Sequence, residues 1–323
     1  MTDVEAISIK QPKVTIIVVT FNRLELLKAC LKSTFELDYP DYSVLLIDNA
    51  STDGTQDFVL SSSYYQQKNF RYVRLKDNIG GAGGFYEGVR LAMADTSEWL
   101  FLMDDDVVIL PKALQHCLKY SHVSECIHGS KLTVEGERFL WSGYFSTKLG
   151  LFSWFSDNYM SGKEFTFVNY GCFEGMFVKK SLVQKIGLPD ARLFITLDDH
   201  IFGMLASLHT NVLYFSEFTL RKLLPVPKDW GERSPIPYYQ TRNRFFLIDY
   251  LRKYFPESRP SVIHLFYFLD FLRNIWRALT KGYFYQIGLL IKGYVDGCRR
   301  QGGRLGATTH MPTKIETAFA PEQ

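Results

Sequence analysis

Val14-Thr15-Ile16-Ile17-Val18-Val19-Thr20 is an unbroken apolar and β-branched run, followed at once by Phe21-Asn22-Arg23. A run without polar alternation reads as a strand buried on both faces, as in a parallel sheet. Leu24, Leu27 and Leu31 then recur at helical spacing, and Asn22 with Glu25 has the form of a capping box. The alternation continues downstream. Val44-Leu45-Leu46-Ile47 ends in the polar turn Asp48-Asn49-Ala50-Ser51-Thr52-Asp53-Gly54. Arg71-Tyr72-Val73-Arg74-Leu75 leads to the glycine-rich Asn78-Ile79-Gly80-Gly81-Ala82-Gly83-Gly84-Phe85, read as a loop, and a helical segment passes through Val89, Ala92 and Met93. This βαβαβαβ succession predicts an α/β fold with a mostly parallel central sheet and helices on both faces. Polar residues gather just after strand ends, where open α/β sheets bind ligands.

The fourth strand of the series, Leu100-Phe101-Leu102-Met103, runs into Asp104-Asp105-Asp106. Alternation along an extended chain puts Asp104 and Asp106 on one face and Asp105 on the other. Three like charges at a strand end repel one another, and a divalent cation with oxygen ligands relieves that repulsion economically. A solvated acidic loop is the bland alternative. The glycine run carries neither the GxGxxG nor the Walker spacing, so by itself it identifies no phosphate site, although its backbone N–H groups could approach one closely. A second acidic pair, Asp198-Asp199, follows the apolar Leu193-Phe194-Ile195-Thr196-Leu197.

Composition narrows the class. At 323 residues, 46% hydrophobic and 22% charged, the chain is a folded globular protein with length for a sizeable core. Five scattered cysteines without CxxC spacing point away from zinc and disulfide frameworks and toward a reducing, cytoplasmic compartment. No apolar run reaches the roughly 18 residues of a membrane span, and the polar opening through Pro12 reads as an N-terminal tail rather than a signal peptide. Residues 221–323 hold 17 Lys and Arg against 8 Asp and Glu, while residues 1–220 are net acidic. Pro225, Pro227, Pro235 and Pro237 mark the change. The expected division is a tail over 1–12, a catalytic unit over 13–225, and a basic, aromatic-rich helical region over 226–323. The basic region suits an anionic membrane surface on the inner face of the cytoplasmic membrane, and no nucleic-acid-binding signature accompanies it. Packing of its aromatics on the catalytic unit, or in a homo-oligomer, is the equal alternative.

Taken together, the strand ends Thr20-Phe21-Asn22-Arg23 and Asp48 to Gly54, the segment Asn78 to Phe85, and Met103-Asp104-Asp105-Asp106 resemble, in this order, the family 2 inverting glycosyltransferases of GT-A fold. The resemblance covers about residues 13–222. Asn78 to Phe85, the triple Asp, Tyr238-Tyr239 with Arg242-Asn243, and Lys292 to Gly297 are most similar to bacterial galactofuranosyl- and rhamnosyltransferases. The resemblance implies a nucleotide-sugar donor, with Thr20, Phe21 and Arg23 bordering the base, Asp48 bonding the uracil or ribose, and Asn78 helping to hold the nucleotide. It implies Mn²⁺ or Mg²⁺ on Asp104 and Asp106, with Asp105 near the nucleotide or donor sugar. Asp199 is then the base that deprotonates the acceptor hydroxyl and Asp198 an acceptor-binding residue, with the opposite assignment of the two left open. Trp154, and with it Trp141 and Tyr170, are candidates for stacking on the acceptor sugar or for plain packing. Two positions depart from the family: Ile201 stands where a Glu is usual, and Leu220 to Leu224 holds no metal-binding His, leaving Arg221 or Lys222 to supply positive charge there.

The implied function is transfer of a sugar, galactofuranose from UDP-galactofuranose first, onto a saccharide or lipid-linked glycan in cell-surface polysaccharide synthesis. The alternatives are rhamnose transfer from dTDP-rhamnose, nucleotidyl transfer, and a catalytically silent glycan-binding or scaffold protein.

Overall fold

The computed structural model describes residues 11–139, 141–156, 159–225 and 231–306. Its first half alternates strictly: β1 (Val14–Thr20), α1 (Leu24–Phe35), β2 (Tyr42–Asp48), α2 (Thr55–Ser61), β3 (Phe70–Arg74), α3 (Gly80–Ala92) and β4 (Trp99–Asp104). The chain continues through β5 (Val107–Ile109), α4 (Ala113–Lys119), β6 (Cys126–Leu132), β7 (Arg138–Phe139), the hairpin β8 (Gly143–Ser146) and β9 (Leu151–Trp154), and β10 (Phe165–Val168). After β11 (Met176–Lys179), α5 (Lys180–Ile186), α6 (Asp198–Ala206) and β12 (Val212–Lys222), it closes with α7 (Ile236–Tyr254), α8 (Pro260–Lys281) and α9 (Phe284–Cys298).

The main sheet runs β3-β2-β1-β4-β11-β6-β12-β10. The N-terminal half is parallel, as the unbroken apolar runs predict, with β1 buried along its whole length. The other half is mixed: β11 lies antiparallel to both β4 and β6, β12 is parallel to β6, and β10 is antiparallel to β12. "Mostly parallel" therefore holds for one half only. Register aligns Thr20 with Asp48, Asp48 with Arg74 and Val19 with Asp104, so these polar residues form one row along the carboxyl edge of the sheet. One face packs Ile17, Val19 and Leu102 against Phe85 of α3 and Phe246 of α7; the other packs Ile16 and Val18 against Leu27 and Leu31 of α1 and Leu114 of α4.

Three local readings are corrected. Asn22 does not cap α1: its φ is +51°, its side-chain oxygen accepts from Thr52 N, and the Leu24 N–H at the helix start is taken by Asp53 Oδ2 at 2.9 Å. The glycine run is a helix rather than a loop. Its glycines allow α3 to lie tight on the sheet, since a Cβ on Gly84 would meet Val19 and one on Gly88 would meet Ile17, each at 2.5 Å. The strand expected from Phe173 starts only at Met176, because Gly175 turns the chain at φ +93° and its N–H bonds Leu102 O.

Candidate active site

β4 ends at Asp104, and it is the turn into β5, rather than strand alternation, that sorts the three carboxylates. Asp105 turns inward, 2% exposed, accepting from Thr20 Oγ1 at 2.7 Å and from Arg23 Nη1 at 3.2 Å. Burial pushes Asp105 up to about 6 against the opposing pull of the Thr20 hydroxyl and Arg23. Asp104 and Asp106 point the other way, toward Glu174, and an oxygen from each of the three lies within 4.8 Å of the others. Burial, and then the charges of Asp106, Glu174 and Asp105, drive Asp104 well above the usual carboxylate range. Asp106 Oδ1 is buried without a hydrogen-bond partner. An all-oxygen donor set with a repelled carboxyl and an orphaned carboxylate oxygen fits a hard divalent cation.

Glu174 completes the cluster; an acid inside the apolar Phe173 to Val178 is its one signal in the sequence. It is braced by Lys222 Nζ at 2.7 Å and by the buried Lys131 Nζ at 3.3 Å. These lysines hold its carboxyl below the usual range even though burial works the other way. Lys222 reaches this position because the end of β12 pairs with β5, and Leu223 N bonds Asp106 O at 2.8 Å. The ammonium of Lys222 thus stands beside the acidic cluster, whereas Arg221 is exposed.

The remaining donor-side candidates fall along the same edge. Phe21 is exposed beside Arg23, whose Nη1 also donates to Asp106 Oδ2 at 3.1 Å. Asp48 is fully buried; its oxygens accept from Ser51 N at 2.8 Å and Tyr72 OH at 2.6 Å, with Arg74 Nε at 3.6 Å. Asn78 Oδ1 accepts from Gly80 N at 2.8 Å and so shapes the start of α3.

Asp198 and Asp199 sit in the first turn of α6, not in extended chain. The segment before them is held in unusual geometry, with φ of +64° at Phe194, +70° at Thr196 and +66° at Leu197. Such backbone persists only where its surroundings over-determine it. Here Asn243 Nδ2 of α7 donates to the carbonyls of Leu193, Ile195 and Thr196 at 2.9–3.0 Å. The buried Arg242 guanidinium bonds those of Arg192 and Leu193. This clamp separates the two acids. Asp198 is buried, and burial followed by the Asp199 charge pushes it up to about 8. Asp199 lines a cavity of about 840 Å³ together with Trp154, His200 and residues of α7 and α8. Cys172 Sγ accepts from Lys131 Nζ at 3.4 Å, the lysine that pairs with Glu174. Burial pushes its thiol up to about 12; the Lys131 charge opposes this, while those of Asp199, Glu174 and Asp104 add to it.

Of the aromatic candidates, Trp154 is 60% exposed on the cavity wall. Trp141 and Tyr170 are buried, packed edge-to-face on each other, and Trp141 also meets Tyr214 and His128. They are core, and their stacking role is withdrawn.

A strand-edge row of polar residues, an acidic cluster at the end of the fourth strand and a second acid lining a cavity make up the candidate site. The model of glycosyl transferase family 2 matches residues 15–185, and the chain belongs to that family. It is 26% identical over 194 residues to a galactofuranosyltransferase of Mycolicibacterium smegmatis, a match covering 57% of this chain and 61% of that one. It is 27% identical over 230 residues to the GalNAc(5)-diNAcBac-PP-undecaprenol beta-1,3-glucosyltransferase of Campylobacter jejuni, covering 69% of this chain and 67% of the relative. Among solved structures, S. aureus TarS 1–349 in complex with UDP superposes with a TM-score of 0.55 at 17% identity, covering 74% of this chain and 65% of that one. A mannosyltransferase from Pyrobaculum calidifontis, in complex with GDP-Man and Mn2+, does so with 0.55 at 18% identity, covering 90% and 88%. These likenesses carry the GT-A fold.

Proposed function

We propose that the protein transfers a sugar, with inversion, from a nucleoside diphosphate donor to a saccharide hydroxyl in the synthesis of a cell-surface polysaccharide. The observation that carries this reading is the carboxylate cluster Asp104-Asp106-Glu174 at the end of β4, in a chain whose second acid, Asp199, lines an open cavity. Thr20, Phe21, Arg23, Asp48 and Asn78 border the nucleotide, with Asp105 locking Thr20 and Arg23 in place. Asp104 and Asp106, with Glu174 as neighbour, would hold Mn²⁺ or Mg²⁺, which would supply positive charge against the leaving diphosphate. Lys222 adds a fixed charge beside it. On the acceptor side Asp199 takes the proton from the attacking hydroxyl. The new C–O bond forms as the bond to the diphosphate breaks, and the diphosphate leaves with the electron pair. Trp154 offers a stacking face; Asp198, expected to bind the acceptor, is buried and is not among the residues lining the cavity. The described residues of 13–225 form the catalytic unit and 231–306 the helical region that completes the acceptor side, the rest of the expected 226–323 region lying outside the described residues.

The galactofuranosyltransferase relative favours UDP-galactofuranose as donor. A panel of UDP-, dTDP- and GDP-sugars with manganese tests the reading by the nucleotide released. Release of UDP from UDP-galactofuranose is expected. Release of dTDP from dTDP-rhamnose moves the donor but keeps the reaction, whereas pyrophosphate release, or silence with every donor and acceptor, overturns it.

A further inference from the structure

The cavity floored by Asp199 has walls that a free sugar does not call for. Leu151 and Trp154 of β9 form one lip, Phe266 and Leu269 of α8 the other, and Leu247 of α7 lines the interior. Two guanidiniums, Arg244 and Arg273, share the carboxylate of Asp270 on this wall, apart from the cavity's other carboxylate, Asp199.

Outside the cavity, α8 turns an apolar stripe to solvent. Leu265, Leu269, Leu272, Trp276 and Leu279 recur at spacings of four and three, so they lie on one side of the helix, each at least 45% exposed. The opposite side is committed inward: Ile263 and Ala278 are buried, Tyr267 OH bonds Gly150 O at 2.8 Å, and Asp270 pairs with Arg244 at 2.6 Å. Arg273 and Arg277 flank the stripe, exposed. Leu269 belongs to both the stripe and the cavity wall, so the outer face and the interior form one continuous apolar surface.

We infer that this surface seats on an anionic lipid bilayer and that the cavity receives a lipid-linked acceptor, whose phosphate meets Arg244 and Arg273 while its glycan reaches Asp199. The inference rests on the proposed sugar transfer and names the acceptor class for the same site. Charge selects the bilayer over a second copy of the chain: a basic flank of Arg273 and Arg277, within a region of 17 Lys and Arg against 8 Asp and Glu, repels its own copy and attracts acidic headgroups. Trp276, 67% exposed, is the residue type that settles at a membrane interface. Among the described residues no helix is long and apolar enough to cross a membrane, so α8 lies on the bilayer rather than through it.

The test is flotation of the full chain with phosphatidylglycerol–phosphatidylethanolamine vesicles, beside calorimetric binding of farnesyl phosphate. UDP and dTDP binding are followed in parallel, so that failure of the donor reading is seen separately. The wild type is expected to float at low salt, and Leu272→Glu with Trp276→Glu to stay in solution with an unaltered circular dichroism spectrum. Arg273→Gln is expected to weaken farnesyl phosphate roughly tenfold, the scale of one charge-assisted hydrogen bond. A wild type that binds nucleotide but neither vesicles nor farnesyl phosphate overturns the inference and leaves the transfer reaction standing. A double variant that floats unchanged and instead turns a dimer into a monomer overturns it in favour of self-association.

Discussion

Asp105 and Asp106 are neighbours in the chain that share Arg23 and otherwise differ: Asp105 is bonded to Thr20 inside the sheet edge, while Asp106 keeps a buried, unpartnered oxygen beside Asp104 and Glu174. Removing a charge from the repelling cluster relieves the fold and removes a ligand. Asp104→Asn and Asp106→Asn are therefore expected to keep or raise the melting temperature while transfer falls at least about a hundredfold. Chelation should silence the wild type, and full activity of both variants in chelator would refute the metal assignment. The acids on α6 differ in the same way. Asp199→Asn should retain donor binding and lose roughly a hundredfold or more in transfer, the scale of a missing general base. Asp198→Asn should show its effect in stability instead. The folded-state value of Asp198, about 8, lies above the value of about 4 in the unfolded chain. The folded protein thus holds this proton more tightly, and the stability it confers is complete below about pH 4 and lost as pH rises toward 8. Melting curves of wild type and Asp198→Asn should converge near pH 4 and separate toward pH 8, with the variant the more stable.

At the scale of elements, the catalytic geometry depends on α7 clamping the loop before α6. Asn243→Ala would leave the part-buried carbonyls of Ile195 and Thr196 without this donor, while Leu193 O keeps Arg242; the loss is about 2 kcal/mol, and the strained loop that aims Asp199 would be freed. Urea unfolding should shift to lower concentration, and kcat should fall more than the affinity for donor. If the midpoint shifts while kcat is unchanged, the clamp is structural only. The same comparison shows why some elements were legible in sequence and others not. The strands β1, β2 and β4 announce themselves because they are apolar at every position, and the Asp triplet because three like charges need a reason. The loop 193–197 is as apolar in sequence as a strand, yet its path is set by Arg242 and Asn243, some fifty residues away in the chain. Nothing local states that Asp198 is buried and Asp199 open. Glu174 and Lys222 join the site only through the antiparallel returns of β11 and β12, which sequence spacing does not specify. The glycine run misled in the opposite direction, since glycine's freedom suggested a loop where its smallness was what the helix–sheet contact required.

At the scale of the whole molecule, the nucleotide edge and the acceptor side are held together at one backbone contact. Asn49 Nδ2, next to Asp48, donates to Gly80 O at 3.0 Å. Gly80 lies against Phe194, whose carbonyl accepts from Ala82 N at 3.1 Å and whose ring stacks on Tyr239 of α7 at 5.0 Å. The helix that follows the third strand is thereby fixed to the strained loop that aims Asp199. A side chain at Gly80 would fail twice: φ there is +80°, and a Cβ would stand 2.0 Å from Phe194 O, a backbone atom that cannot swing aside. The backbone conformation alone costs about 1–3 kcal/mol for a residue other than glycine, and the clash adds to it. Gly81, the next residue of the same helix, supplies the control, because a Cβ there meets nothing within 4 Å and its φ is ordinary. Alanine at Gly81 gains helix propensity, worth up to about 1 kcal/mol. Gly80→Ala is thus expected to lower the unfolding midpoint in urea and to depress transfer, while Gly81→Ala raises the midpoint and leaves transfer as it was. If Gly80→Ala proves as stable and active as Gly81→Ala, the two sides are not coupled through this contact, and the Arg242–Asn243 clamp alone positions Asp199.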